Sequence, residues 1–402
     1  MMRRILFFLL LALPPTLWAQ RVVVSGKVTD AATGRVVAGA SVRSGGLSVV
    51  TNDDGFFVLK GDSALSTVTA SHIGYRATTV TVTDRQLTIR LQPAAVVLSE
   101  VLVMADNPLE VVMAAISRIP QNYSQQPESY QCFYREKAMK RQHYMCVAEG
   151  VVDMYKTGYG RSSGRDRVAI RKGRRLVSPR RGDTLSVKVL GGPLAPVQLD
   201  VVKNTELLLS PEELDCYDLK METPTSIGDR LQYVVRLSPR RVMPYALYFG
   251  RLYIDQQTLA FTRAELSLDM SDRQKATDQM LIRKPAGVRF RPKELSLLID
   301  FRLDADGKTR MSYVCTTFRF NCDWKRRLLA TSFAAFCEMA VTSTSHTGVQ
   351  PIRGRESFDQ RDAFFDKVDY FRDPLFWQNY NIIEPSESLD RAVSKLLKRF
   401  PK

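Results

Sequence analysis

The sequence holds only three histidines in 402 residues, His72, His143 and His346, and none stands in an HxxE or HExxH spacing. A metal hydrolase needs two or three such ligands converging on one ion, so a zinc carboxypeptidase site is excluded for this chain unless a partner brings it. Cysteine is scarce as well: Cys132, Cys146, Cys216, Cys315, Cys322 and Cys337 include no CxxC pair, which removes zinc-ribbon and thioredoxin-type readings. No cofactor is implied. Acidic residues are outnumbered, 42 Asp and Glu against 58 Lys and Arg, for a formal charge of +16. Nowhere does an apolar run approach the ~20 residues that a membrane-spanning helix requires.

What is present begins with Arg3 and Arg4, an apolar run from Ile5 to Leu13, Pro14-Pro15, and Leu17-Trp18-Ala19 before Gln20. This order reads as a secretory signal peptide over residues 1–19. The mature chain is then expected to be exported, periplasmic or outer-membrane associated, with no cysteine after the cleavage site to carry a lipid anchor. In a cytosolic chain the basic balance would point to nucleic acid. Export instead turns it towards anionic lipid, lipopolysaccharide or surface glycan, with plain solubility as the bland alternative. An even cysteine count in an exported chain permits disulfides; Cys132 with Cys146, and Cys315 with Cys322, are candidate pairs, and buried free thiols are an equal alternative.

From Val22 to Leu91 apolar residues recur at every second position. Val80 and Val82 alternate with Thr79, Thr81 and Thr83, and Leu87, Ile89 and Leu91 alternate with Thr88 and Arg90. Period two predicts half-buried strands. Val22–Val28, Ala40–Ser44, Leu47–Thr51, Phe56–Leu59 and Leu65–Ala70 read the same way, separated by turn chemistry at Asp30/Gly34, Gly45-Gly46, Asn52-Asp53-Asp54-Gly55 and Gly61-Asp62. Seven short strands spaced in this manner predict an antiparallel β-sandwich over residues 20–93. The pieces Gly26-Lys27-Val28-Thr29-Asp30, Gly39-Ala40-Ser41-Val42, Thr51-Asn52-Asp53-Asp54-Gly55-Phe56-Phe57 and Gly74-Tyr75 resemble the carboxypeptidase-regulatory-like domain, a transthyretin-like (prealbumin-like) sandwich. That resemblance implies an accessory domain without an active site of its own. Gly55 and Gly74 fall where a turn calls for positive φ.

Residues 94–107 read as a linker that includes one strand-like piece, Leu98 to Val103. A helix over 108–119 follows, capped by Asn107, with Pro108 at its first position, Glu110 completing a capping box, Leu109, Val112, Met113, Ile116 and Ile119 on one face, and Pro120 as its stop. The rest, 108–402, is expected to be a larger antiparallel β-meander or half-barrel. Its strand candidates are Tyr130–Lys137, His143–Tyr155, Val168–Leu176, Leu199–Leu209, Tyr217–Glu222, Leu231–Leu237, Leu247–Ile254, Phe261–Leu268, Leu295–Leu303 and Met311–Phe320, with a hairpin turn at Asp304-Ala305-Asp306-Gly307. Connections too short for helical crossovers make the meander antiparallel. The pieces Cys132–Glu136, Gly250–Asp255, Lys284–Val288 and Phe376–Pro385 resemble an uncharacterised group of exported proteins that carry this arrangement behind a carboxypeptidase-regulatory-like domain. Tyr253-Ile254-Asp255 with Phe261-Thr262-Arg263-Ala264-Glu265 is similar to the strand pairs of periplasmic lipoprotein carriers, whose half-barrel holds an acyl chain; an ordinary hairpin is the plain alternative. The aromatic segment Ser357–Tyr380 is expected to dock on the sheet, with sugar stacking as the alternative. A final helix over 385–400, with Leu389, Val393, Leu396, Leu397 and Phe400 on one face, is expected to pack on the barrel or to lie on an anionic membrane.

Candidate functional residues are few. Arg161, Arg165, Arg167, Arg171, Lys172, Arg174, Arg175, Arg180 and Arg181 crowd around the single Asp166, as a solvated loop or strand edge or as an anion-binding patch. Gly160-Arg161-Ser162-Ser163-Gly164 has the spacing of a nucleophile elbow, but that motif needs a strand before it and a helix after it. Asp53-Asp54-Gly55 and Asp304/Asp306-Gly307 have calcium-loop chemistry and are far more often plain turns. Asp62-Ser63-Ala64 and Asp183-Thr184-Leu185 resemble bacterial O-glycosylation acceptors. The expectation is a non-catalytic envelope protein that binds a protein or glycan at the outer membrane. The alternatives are a carrier for a lipid or other apolar ligand and, less favoured, a hydrolase.

Overall fold

The computed structural model describes residues 21–94, 107–178, 188–283, 286–324, 330–370, 373 and 375–397. The signal peptide, the linker strand within 95–106, Arg180 and Arg181, the Asp183–Leu185 acceptor, Lys284-Pro285 and Phe400 lie outside these residues, as do the side chains of Leu396 and Leu397.

Seven strands build the first body: β1 (Val22–Asp30), β2 (Ser41–Ser44), β3 (Leu47–Val50), β4 (Phe56–Gly61), β5 (Thr67–Ser71), β6 (Thr78–Thr81) and β7 (Gln86–Leu91). They form two layers, β4-β1-β7 and β3-β2-β5-β6. Burial alternates strictly along β4 and β7. Phe57, Leu59, Ile89 and Leu91 of one layer therefore meet Val42, Val49, Val68 and Ala70 of the other in a single core. Pairing is antiparallel but for β1 and β7, which run parallel. Gly55 and Gly74 hold φ values of 72° and 78°. Tyr75 beside the second glycine donates its hydroxyl to Asp30 at 2.7 Å, tying two of the motif pieces together.

The second body begins with α1 (Pro108–Ser117), whose Asn107 cap accepts from the backbone N–H groups of Leu109 and Glu110, and α2 (Ile119–Asn122). β8 (Glu128–Lys140), β9 (His143–Lys156) and β10 (Arg167–Val177) follow, then the short helices α3 (Ala195–Gln198) and α4 (Pro211–Leu214). Next come β11 (Tyr217–Ile227), β12 (Arg230–Pro239), β13 (Tyr248–Asp255), β14 (Phe261–Leu268), α5 (Arg273–Met280), β15 (Val288–Leu303), β16 (Thr309–Trp324), β17 (Thr331–Ser345), β18 (Asp369–Tyr370) and α6 (Glu387–Leu397). The chain is mainly β, and the sheet runs β11-β12-β13-β14-β15-β16-β17-β8-β9-β10-β18 as a half-barrel, antiparallel except at β10–β18.

Its inner face carries the principal core. Tyr134, Val152, Met339, Val314, Ile299 and Leu252 pack there against Val112 and Ala115 of α1 and against Val197, Val201, Val202 and Leu208. Each fully buried valine, leucine, isoleucine or methionine among them contributes about 1.5–3 kcal/mol by leaving water. The sandwich joins this sheet edge-on, through a bridge from Ser343 of β17 to Leu47 of β3 and a bond from the Ser48 hydroxyl to the Val341 carbonyl.

Several expectations are corrected. Leu199–Leu209 is not a strand but a set of helical turns, because the Asp200 carboxylate accepts from the backbone of Val202 and Lys203 and curls the chain. The adjacent buried pairs Val201/Val202 and Leu208/Leu209 suit turns rather than a period of two. On α1 the buried face is Val111, Val112 and Ala115, with Leu109 and Met113 over 40% exposed, so the side that meets the core is rotated from the expected apolar stripe and shares Val112 with it. Pro120 opens α2 instead of ending the segment. β17 and α5 are elements that the pattern did not indicate. All six cysteines are unbridged. Cys132 faces Val152, six residues from Cys146 along β9, and Cys315 and Cys322 share one strand seven residues apart, so neither pair approaches the span of a disulfide. The final helix starts at Glu387 and buries Leu389.

Candidate functional site

The other, outer face of the half-barrel is polar, and its register lines charged residues up across the whole sheet. Directly opposed neighbours run Lys220, Arg236, Arg251, Glu265, Leu298, Cys315, Glu338, Arg135, Glu149, Arg174 and Asp369, one from each strand from β11 to β18. Beside it lies a shorter row, Phe249, Ser267, Ser296 and Thr317. Both rows exist because each strand alternates, placing its apolar residues inward and its polar ones outward.

Over β8, β9 and β17 this face is covered. The sandwich stands on it, and residues 376–389 strap across both bodies. Trp377 is buried against Phe133, ring centroids 5.7 Å apart. Asn381 works as a substitute strand: its amide oxygen accepts from the Lys60 N–H of β4 at 2.8 Å, and its amide nitrogen donates to the Lys60 carbonyl at 3.0 Å. The Lys60 ammonium donates to the carbonyls of Trp377 and Tyr380, and Asn52 donates to that of Pro385. Asp54 accepts from the Glu387 N–H at the start of α6, which is where the Asn52–Gly55 turn spends its carboxylate.

Where sandwich, strap and sheet meet, a cleft of about 240 Å³ remains, lined among others by His72, Arg135, Lys137, Arg263, Cys315 and Glu384. Arg135 is 2% exposed and donates to Glu149 at 2.8 Å and to the Ile383 carbonyl at 2.6 Å. Burial pulls this guanidinium down, but Glu149 and Glu338 outweigh it and hold it above its ordinary value. Burial likewise works against the Glu338 carboxylate, and Lys137 and Arg135 more than offset it. Arg263 pairs with Asp300 and Glu265. Burial raises the Glu384 carboxyl, with Lys60 opposing. It also pushes the Cys315 thiol up to about 11, far from thiolate chemistry at neutral pH. His72 is shifted down by burial and then by Arg263, and its Nδ1 bonds to the Ile73 carbonyl. These groups can hold charged or hydrogen-bonding partners; no nucleophile stands activated beside a base.

Beyond the sandwich, the outer face opens into a groove of about 660 Å³ over β12–β16. Arg236 and Arg251 are exposed on its wall, and Phe249 is 45% exposed. The register that brings these residues together is invisible in one sequence; only the alternation that puts them outward is legible.

The basic run is dispersed. Arg161 and Arg165 sit exposed in the turn before β10, and Arg167 donates to the Gly164 and Asp166 carbonyls. Along β10, Arg171 pairs with Asp153, Lys172 lies 4.0 Å from the Phe376 ring centroid, and Arg174 bonds Glu149 and covers Trp377. Arg175 donates to the Phe365 carbonyl and lies over the Phe365 and Tyr370 rings. Ser162 caps a single 3₁₀ turn between two strands, so the elbow's helix is missing there. Asp304 and Asp306 are taken up by Arg310. Ser63 of the Asp62-Ser63-Ala64 acceptor is exposed.

Residues 24–103 match the family model of the CarboxypepD_reg-like domain, so the N-terminal sandwich is a domain of that type. No match was found among curated proteins. Among solved structures the chain is similar to a domain described as an outer membrane lipoprotein-sorting protein from Vibrio parahaemolyticus, at 10% identity over 60% of this chain and 94% of that one, TM-score 0.27. It is similar to a DUF1329 family protein from Desulfovibrio piger at 9% identity over 61% and 95%, TM-score 0.25. Lipovitellin aligns at 8% identity over 62% of this chain and 28% of its own, TM-score 0.26.

Proposed function

We propose that this chain is a non-catalytic, exported cell-envelope protein that binds a protein or glycan partner at the outer membrane through the polar face of its half-barrel. The observation that carries the reading is the contrast between the two faces. The inner one is packed by α1, α2 and the 194–214 segment, whereas the outer one leaves charged and hydroxyl rows open over β12–β16. That packing favours surface binding over transport of a lipid or other apolar ligand. The signal-peptide pattern supports export, and among the described residues no helix is long and apolar enough to cross a membrane. Exposed Arg161 and Arg165 would add attraction to anionic lipid or lipopolysaccharide.

The test is to express the full chain with its leader, fractionate the cells, and place a photo-cross-linking residue at Phe249 or Thr317 on the groove or at Arg85 on the sandwich. Adducts with an envelope protein or glycan from the two groove positions and not from Arg85 are expected. Retention in the cytoplasm, or adducts no different at Arg85, would sink the reading. An acyl species co-purifying with the chain in native mass spectrometry would replace it with the carrier.

A further inference from the structure

The β11–β13 end of the polar face is electrostatically unbalanced. Lys220, Arg236 and Arg251 stand directly opposite one another on adjacent strands, with no acid between them in the row. Like charges so placed destabilise a sheet. Glu222 answers Arg251 at 2.6 Å. Glu265 is committed to Arg263 and to the Tyr253 hydroxyl. Among the described residues no carboxylate is bonded to Lys220 or Arg236, and both are exposed. The second row on the same face begins with the half-exposed Phe249 ring and continues through the hydroxyls of Ser267, Ser296 and Thr317. Strands about 4.8 Å apart make the cation row about 10 Å long and the row from Phe249 to Thr317 about 14 Å long.

We infer that this groove binds an anionic glycan. A phosphate or carboxylate of the sugar sits on Lys220 and Arg236, a pyranose ring lies on Phe249, and further hydroxyls bond to Ser267, Ser296 and Thr317. Arginine suits the first role because its planar fork meets both oxyanions with paired hydrogen bonds. The floor favours sugar over protein: a protein interface centres on a buried apolar anchor, whereas here, beside Leu298 and Cys315, runs a line of small hydroxyl side chains. The inference rests on the proposed function and specifies its ligand.

Binding of the purified full chain would be measured by isothermal titration with an oligogalacturonate, a phosphorylated oligosaccharide, a neutral dextran oligomer and polyglutamate. Binding of either charged sugar, with dextran and polyglutamate at least about 10-fold weaker, supports the proposal. Affinity should fall as salt is raised from about 50 to about 200 mM. Arg236→Glu should weaken binding at least about 10-fold and Phe249→Ala about 3- to 10-fold. Arg90→Glu on the sandwich, an equal change in net charge at another exposed site, should leave it within about twofold. Equal binding of polyglutamate or dextran, indifference to Arg236→Glu, or no binding of either charged sugar overturns the proposal. If groove cross-links to an envelope protein persist in that last case, only the glycan inference has failed; if they vanish as well, the broader reading has failed.

Discussion

Lys203 and Asp166 are both fully buried and 2.7 Å apart, beside the equally buried pair of Lys156 and Asp200. The four charges staple the 190–216 segment to β9 and β10. Burial, then the neighbouring Lys156, lowers the Lys203 ammonium to about 8, with Asp166 opposing. Removing one partner strands the other, so Lys203→Met is expected to destabilise by about 3–5 kcal/mol in urea unfolding, and adding Asp166→Asn should restore part of the loss. An unchanged midpoint in the single variant would refute the staple. Glu136 offers a pH handle. Burial, with no cation bonded to it among the described residues, pushes its carboxyl up to about 8 from an ordinary 4.5, with the Tyr134 hydroxyl opposing at 2.7 Å. A raised acid is more costly to ionise in the folded state than in the unfolded one. Its contribution is therefore full below 4.5 and lost as pH rises towards about 8. The melting temperature should fall across that window, and Glu136→Gln should flatten the decline.

At the scale of elements, alternation was the legible signal and its failure marks what was missed. β7 and β14 read correctly because one face is wet. β17 buries both faces, and Phe333, Ala334, Ala335, Cys337, Met339 and Ala340 leave it neither a period of two nor many β-branched residues. Leu199–Leu209 erred the other way, its apolar density resembling a strand until Asp200 turned the backbone. The charged ladder was out of reach because register is a property of pairs of strands. Gly250 shows how close two of them run: a Cβ there would lie 1.9 Å from the Glu265 carbonyl oxygen. Gly250→Ala is expected to lose on the order of 2–4 kcal/mol by prising β13 from β14, measured as a drop in the chemical-denaturation midpoint; a wild-type midpoint would argue against that approach.

For the whole molecule, two bodies and their order along the chain could be read from residue types alone, and the regulatory-like sandwich could be recognised. Their fastening could not, because it depends on single polar side chains of the strap. Asn381→Ala removes both bonds to Lys60 and leaves a backbone pair unsatisfied, a loss of about 2 kcal/mol. Calorimetry of the full chain should show one transition becoming two as sandwich and half-barrel melt separately, whereas a single unshifted transition would mean that the β3–β17 junction and the remaining strap bonds suffice without Asn381.

Lys60 and Asn381 are 321 residues apart. During synthesis the sandwich can finish folding long before its latch exists, and the buried Arg135 must wait for the Ile383 carbonyl that completes its shell. The roof over the charged cleft is therefore the last part of the protein to close.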